Sequence, residues 1–218
     1  MSAVVCAALL VGISGAAAAY SGFLTSANGG VDGTGNWING GTTRIDWDVS
    51  FDAGNGWWTY SYEFSHPRGE TSHFILETSQ NFTENDIFDA SGDFDDIEIG
   101  TWTANGSNPY LPGPIYGIKF DDAWGETTEF RFNSYRTPVW GDFYAKNGRA
   151  GGEWNTAWNA GFLADDPTDP AGNGALAGHL LVPDTVAQPI PEPSSLLLLG
   201  FGLLGVGGVR SYRRAMRG

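Results

Sequence analysis

The chain has 218 residues, and its 25 acidic residues outnumber its 11 basic ones, which gives a net charge of −14 at pH 7. Residues 20–190 hold 24 of the acidic and only 7 of the basic residues, so this part repels nucleic acid, which is not an expected partner. Its 9 Trp and 13 Phe are too many for a disordered chain. The single cysteine, Cys6, lies in an apolar N-terminal segment, which excludes disulfides and thiolate metal sites from the remainder.

The first 19 residues are typical of a secretory signal peptide. An apolar run from Ala3 to Ile13 precedes small side chains, and Ala17 to Ala19 satisfy the preference of signal peptidase. The pattern predicts cleavage between Ala19 and Tyr20. No Lys or Arg precedes the apolar run, and a buried N-terminal helix or strand is the alternative interpretation.

Alternating apolar and polar residues predict strands throughout residues 20–182, which we expect to form one ectodomain. Residues 44–51 and 58–64 both alternate, and the turn residues Asp52 to Gly56 between them predict a hairpin with a five-residue loop. Further strands are predicted at Ser72–Glu77, Asp96–Trp102, Ile115–Phe120, Thr127–Tyr135, Val139–Lys146 and Leu180–Val182. Many short strands separated by Gly, Pro, Asn and Asp predict an all-β fold, an antiparallel, jelly-roll-like β-sandwich.

The sequence contains no readable catalytic motif. Its three histidines, His66, His73 and His179, are scattered, and no nucleophile-elbow motif occurs outside the predicted signal. Clustered zinc ligands are not predicted either. Carboxylates are plentiful, so a glycosidase pair is conceivable, but the sequence assigns no two residues to it.

Two binding sites are candidates. Calcium prefers several oxygens converging on a loop, and Asp165, Asp166 and Asp169 form a candidate calcium site, with a solvated acidic loop as the alternative. No other cofactor is expected. Glycans stack on aromatic faces, and four tryptophans near predicted loops are candidate glycan contacts, unless they fill the core. These are Trp37, Trp57, Trp154 and Trp158.

The C-terminal part begins with a proline-containing stalk at residues 183–190. The motif Pro191, Glu192 and Pro193 follows, and then residues 194–209 form an uncharged apolar segment, which predicts a short transmembrane helix. Basic residues come directly after it, namely Arg210, Arg213, Arg214 and Arg217. By the positive-inside bias these arginines act as a stop-transfer charge and hold the C-terminus in the cytoplasm.

In order and spacing, residues 191–218 resemble the PEP-CTERM family of sorting signals. The resemblance implies recognition of Pro191, Glu192 and Pro193 by exosortase, a membrane-embedded transpeptidase-like enzyme of bacteria that make exopolysaccharide. A permanent membrane anchor is the alternative. Segments such as Phe74 to Glu77 and Tyr116 to Phe120 are similar to those of uncharacterised PEP-CTERM ectodomains, which implies no particular activity.

The sequence therefore predicts an exported protein whose partners are signal peptidase, exosortase and, through the C-terminal helix, the inner membrane. Its expected destination is the cell surface or the extracellular matrix. The first functional hypothesis is a noncatalytic β-sandwich that associates with glycan or exopolysaccharide. The alternatives are a secreted polysaccharide hydrolase with a carboxylate pair and a purely structural coat protein.

Overall fold

The computed structural model describes residues 18–150 and 152–187, and these residues form an antiparallel all-β fold. Helix is limited within them to a short turn at Asn36–Asn39 and two 3-10 turns, at Ser26–Asn28 and Glu84–Asp86. The strands are β1 (Ala19–Thr25), β2 (Val31–Thr34), β3 (Arg44–Asp52), β4 (Trp57–Ser65), β5 (His73–Glu77), β6 (Phe88–Gly92), β7 (Asp96–Trp102), β8 (Ile115–Asp121), β9 (Thr127–Ser134), β10 (Arg136–Gly141), β11 (Phe143–Ala150), β12 (Glu153–Asn159) and β13 (Leu180–Ala187).

Two antiparallel sheets face each other. The five-stranded sheet has the order β1-β3-β4-β9-β6, and the six-stranded sheet has the order β2-β12-β11-β5-β8-β7. A separate pair, β10 with β13, is also antiparallel. The predicted all-β antiparallel sandwich is confirmed.

The hairpin of β3 and β4 shows how alternation produces the sheet. Ile45, Trp47 and Val49 are buried on one face of β3, while the residues between them face outward. Asp52 pairs with Trp57, so the connecting loop has four residues, 53–56, and not the predicted five. The Asp52 carboxylate accepts hydrogen bonds from the amides at positions 54 and 55, which ties the turn together.

The core lies between the two sheets and is rich in phenylalanine. Phe64 of the five-stranded sheet contacts Phe74 and Phe143 of the six-stranded sheet, with ring centroids 5.6 and 6.0 Å apart. Phe74 also contacts Phe130, at 4.7 Å. The β10–β13 pair joins this core, since the Tyr62 hydroxyl donates a 2.8 Å hydrogen bond to the carbonyl of the buried Leu181.

The structure corrects several strand predictions. The strand predicted at Val139–Lys146 is divided at Asp142 into β10 and β11, which belong to different sheets. Strands β1, β2, β6 and β12 were not predicted. In β12 the inward positions are Asn155, Ala157 and Asn159, so the apolar alternation that marks a strand is missing.

The predicted stalk also differs in part from the structure. Strand β13 continues past Val182 to Ala187, where Pro183 pairs with Pro138 and Ala187 pairs with Arg136. Residues 188–190 lie outside the described part, as do residues 1–17 of the predicted signal and the whole predicted sorting signal at 191–218, including its membrane helix at 194–209. Within residues 18–150 and 152–187, no helix has the length and apolar character needed to cross a membrane.

Candidate functional site

The solvent-facing side of the five-stranded sheet, here called the outer face, carries a shallow groove of about 390 Å³. Its floor consists of alternate residues from three neighbouring strands, which point away from the core because successive side chains of a strand alternate. These residues are Asp46 and Asp48 of β3, Ser61 and Glu63 of β4, and Glu129 and Arg131 of β9. The groove is thus polar, with an excess of carboxylates.

Three of these carboxylates lie side by side across the strands. Asp46 is directly opposite Glu63, and Glu63 is directly opposite Glu129. Like charges in opposite positions of an antiparallel pair repel each other, which destabilises a sheet unless something compensates. Arg44 forms a salt bridge with Asp46, which offsets part of this repulsion. The register thus places three carboxylates in one row on the outer face.

An aromatic cluster occupies one end of the same outer face. Trp57, at the start of β4, contacts Phe88 of β6 at 5.4 Å between ring centroids, and Phe88 contacts Tyr135 at 5.2 Å. Trp57 and Phe88 are half-buried, whereas Tyr135 is 44% exposed. These three residues, the aromatic end, therefore expose an apolar surface to solvent.

Polar residues connect the aromatic end to the carboxylates. Thr59 of β4 donates a 2.8 Å hydrogen bond to the side chain of Asn133 on β9, one row beyond the aromatic end. Glu63 lies six positions after Trp57 along β4, which corresponds to about 20 Å at about 3.3 Å per residue. The outer face thus offers aromatic, hydroxyl, amide and carboxylate groups along one line.

The tryptophans predicted as glycan contacts occupy different environments. Trp37 is fully buried: its ring stacks on His66 at 4.2 Å, and its indole nitrogen donates to the Arg68 carbonyl. The expectation that Trp37 contacts a ligand is therefore wrong, because neither face of its ring is open. Trp57 belongs to the aromatic end, as described above.

Trp154 and Trp158 lie on strand β12 and not in a loop. Trp158 packs against a second apolar cluster that includes Tyr144 and Ile75, on the side of the six-stranded sheet that faces away from the core. The guanidinium of Arg149 lies 4.7 Å from the Trp154 ring centroid. These rings therefore already have packing and cationic partners.

A second polar site forms where several strands end. Glu77 is the last residue of β5, Asp142 precedes β11, and His179 precedes β13, while Asp166 comes from the loop between β12 and β13. The Nε2 atom of His179 lies 3.6 Å from Asp142 Oδ1 and 3.5 Å from Asp166 Oδ1. One ligand atom from each of Asp142, Asp166 and His179 lies within 4.8 Å of the others, so these three residues could hold a metal ion. We call them the carboxylate–histidine cluster.

Hydrogen bonds hold the cluster in place. Asn159 donates from Nδ2 to Asp142 Oδ1 at 2.6 Å and to the Gly178 carbonyl at 2.9 Å, while its Oδ1 accepts from the Phe143 amide. Glu77 accepts a 2.9 Å hydrogen bond from the Asp142 amide. Asp142, which separates β10 from β11, is therefore held through its side chain by Asn159 and through its backbone amide by Glu77.

Burial raises the pKa of the carboxylates in this region. Burial, with the nearby charges of Asp166 and Asp142, raises the pKa of Glu77 to about 8. Burial also raises the pKa of Asp142 to about 6, and it raises the pKa of Asp166 above its ordinary value. Such a concentration of carboxylates resists ionisation until a cation compensates it.

The sequence-based metal prediction is only partly met by this geometry. Asp166 joins the carboxylate–histidine cluster, but Asp165 and Asp169 are exposed and are not members of it. Asp142 and His179 were missed because they are distant from Asp166 in sequence. The one local signal was the acidic residue Asp142 inside an otherwise apolar run.

A protein-family model described as the PEP-CTERM protein-sorting motif matches residues 189–214. Together with the antiparallel sandwich, this match defines an exported β-sheet protein that is handled at the membrane through its C-terminal tail. The chain is a PEP-CTERM sorting domain-containing protein, and the motif implies exosortase as its processing partner. The matched range includes Pro191, Glu192 and Pro193 as well as the arginines up to position 214.

The remaining comparisons add little. No curated protein matches the chain. Among solved structures, the KRT10-binding region domain of the pneumococcal serine-rich repeat protein PsrP is similar, with 14% sequence identity and a TM-score of 0.22. The match covers 60% of this chain and 86% of that one. A likeness this weak supports no conclusion about fold or ligand.

Proposed function

We propose that this exported protein is a noncatalytic glycan-binding protein of the cell surface or extracellular matrix, and that it binds polysaccharide along the outer face. The observation that carries the proposal is the continuity between the aromatic end and the polar groove on one sheet surface. Sugar rings have apolar faces that stack on aromatic side chains, and their hydroxyls donate to carboxylates and amides. The outer face offers both kinds of group within about 20 Å.

The charge of the groove selects the class of glycan. Asp46, Asp48, Glu63 and Glu129 contribute four carboxylates to its lining, against the single cation of Arg131. Anionic polysaccharides are repelled by such a surface, whereas the hydroxyls of a neutral glycan are good donors to it. We therefore assign a neutral polysaccharide as the ligand.

Hydrolysis is the second candidate, because carboxylates directly across neighbouring strands resemble the close pair of a retaining glycosidase, about 5 Å apart. A catalytic acid needs an environment that keeps it protonated, usually apolar burial. Glu63 and Glu129 are exposed on an open sheet surface, with Arg131 two positions along the same strand as Glu129. This environment favours binding over catalysis.

Affinity measurements on a panel of neutral and anionic polysaccharides test the proposal. We expect the purified protein to bind a neutral glycan, and the substitution Trp57→Ala to weaken binding at least tenfold, about 1.4 kcal/mol. Trp124→Ala is the matched control, because Trp124 is also exposed, at 42%, but is not part of the aromatic end. Circular dichroism checks that both variants remain folded.

The other outcomes decide between the alternatives. Reducing-sugar release by the wild-type protein that disappears in Glu63→Gln or Glu129→Gln would establish the hydrolase. If no glycan binds, or if Trp57→Ala and Trp124→Ala bind equally well, the outer face is not a glycan site. A purely structural coat role would then be the better interpretation.

A further inference from the structure

The carboxylate–histidine cluster is distinct from the outer face that we propose for glycan binding. Asp142 lies between β10 and β11, and the hydrogen-bonding Asn159 is the last residue of β12 in the six-stranded sheet, whereas Asp166 comes from a long loop between β12 and β13. The cluster thus connects a loop to the ends of several strands. A ligand bound at this position would hold the loop against the sheet.

The orientation of His179 gives the first indication of a ligand. Its side chain is fully buried, and its Nδ1 lies 3.3 Å from the carbonyl of Leu176, three residues earlier. In the neutral imidazole, Nδ1–H donation to that carbonyl leaves the lone pair on Nε2. Among the residues that the structure describes, Nε2 has no hydrogen-bond partner. A buried acceptor atom without a donor is costly, so its position needs an explanation.

The surroundings of Nε2 supply that explanation. Two carboxylate oxygens lie close to Nε2, Asp142 Oδ1 at 3.6 Å and Asp166 Oδ1 at 3.5 Å. Three electron-rich atoms converge, which is unfavourable without a cation between them. Both distances exceed the usual range of about 2.7–3.2 Å for a hydrogen bond and the 3.3 Å between Nδ1 and the Leu176 carbonyl, so neither carboxylate forms a good hydrogen bond with Nε2.

A metal ion fits these distances better. Metal–ligand bonds of about 2.1 Å at a tetrahedral angle separate two ligand atoms by about 3.4 Å. The two distances from Nε2 are close to this value. We propose that Asp142, Asp166 and His179 bind one divalent ion of the zinc class.

The neighbouring residues are arranged as supports of a metal site. Metal-bound histidines usually donate their other ring nitrogen to a carbonyl, as His179 does to Leu176, and metal-bound carboxylates are usually hydrogen-bonded, as Asp142 is by Asn159. Gly161 makes room for the imidazole, because a Cβ at that position would lie 2.5 Å from the His179 ring. The imidazole ligand favours zinc over calcium, which prefers oxygen ligands alone.

The geometry of the cluster also indicates how the ion enters and what it does for the fold. The Asp166 side chain is 45% exposed, so an ion can enter from solvent on the loop side. Three protein ligands leave a fourth position of a tetrahedral ion for water. The ion fastens the loop that carries Asp166 to the strand ends that carry Asp142 and His179, and it stabilises the folded chain.

The test is metal binding by the purified protein after treatment with a chelator, measured by calorimetric titration and elemental analysis with Zn²⁺, Mn²⁺ and Ca²⁺. We expect one equivalent of Zn²⁺ to bind and to raise the melting temperature. Asp166→Asn should weaken Zn²⁺ binding at least 100-fold. Asp165→Asn is the matched control: this carboxylate is adjacent and exposed but is not a member of the cluster, so the variant should bind as the wild type does.

The variants are chosen so that misfolding does not obscure the result. His179→Gln removes a fully buried side chain and is informative only if it folds, whereas Asp166 is half-exposed and its replacement should leave the fold intact. A tetrahedral Co²⁺ absorption spectrum that is lost in Asp166→Asn would add direct support. Equal Zn²⁺ binding by Asp165→Asn and Asp166→Asn, absence of Zn²⁺ binding, or stabilisation by Ca²⁺ alone would each overturn the proposal.

Discussion

Burial of His73 should make the protein sensitive to mild acid. This side chain is 3% exposed and lies in β5, where the neighbouring strands place Lys146 and Asp121 directly opposite it. Burial, with the charges of Lys119 and Lys146, lowers its pKa from 6.5 to about 3, although the Asp121 carboxylate and the side chain of Asn108 act in the opposite direction. In the folded state the imidazole therefore stays neutral at pH values where the unfolded chain is protonated.

The sign and size of the effect follow from this difference in pKa. Below pH 6.5 the unfolded state binds a proton that the folded state does not bind until about pH 3, so stability falls as the pH falls through this window. Each pH unit costs about 1.4 kcal/mol, which gives a loss of about 2 kcal/mol at pH 5. His66, whose pKa burial lowers to about 4, should contribute a loss of similar size at pH 5.

Urea unfolding at pH 7 and pH 5 of the wild type and of His73→Gln measures this contribution. The variant should lose about 2 kcal/mol less than the wild type between the two pH values. Carboxylates with raised pKa, such as Glu77, have the opposite pH dependence, but they are present in both proteins and cancel in the difference. His66→Gln is the matched comparison and should behave in the same way. If the wild type and His73→Gln lose equal stability, the buried neutral histidine is refuted.

Two further predictions concern the core and the processing of the chain. Phe64→Ala should lower the free energy of unfolding by about 3–5 kcal/mol, because Phe64 is fully buried between the two sheets, while Leu163→Ala, at a side chain 79% exposed, should change it by no more than about 0.5 kcal/mol. Similar urea midpoints for these two variants would contradict the described core. Mass spectrometry of the exported protein should find Tyr20 as the first residue and a C-terminus trimmed near Pro191. An intact chain with both ends retained would refute that processing.

Strands whose inward residues are large and apolar could be predicted from the sequence. Alternation identified β3, β4 and most of β9, because each strand buries one face and the side-chain period is two. Strand β6 could not be predicted, because it is short, lies at a sheet edge and is mostly exposed. Its identity as a strand comes from pairing with β9, which local sequence does not encode.

The functional residues also divide into those that local sequence identifies and those that only the fold brings together. The sorting motif at residues 189–214 is a linear pattern, and its residue order alone was sufficient to recognise it. Trp57 was predicted to contact a glycan, but its partners Phe88 and Tyr135 were not, and Trp37 was misassigned because a buried and an exposed tryptophan look alike in a sequence.

The sheet class, the acidic charge and the C-terminal sorting motif could be predicted without the fold, because each depends on composition or on neighbours along the chain. The fold was needed to show that Asp142, Asp166 and His179 lie together, and that Asp46, Glu63 and Glu129 form one row. Turn geometry and the hydrophobic pattern set the register of each pair, but which distant strands become neighbours depends on contacts between segments far apart in the chain. Residues of such segments become neighbours only when those contacts have formed.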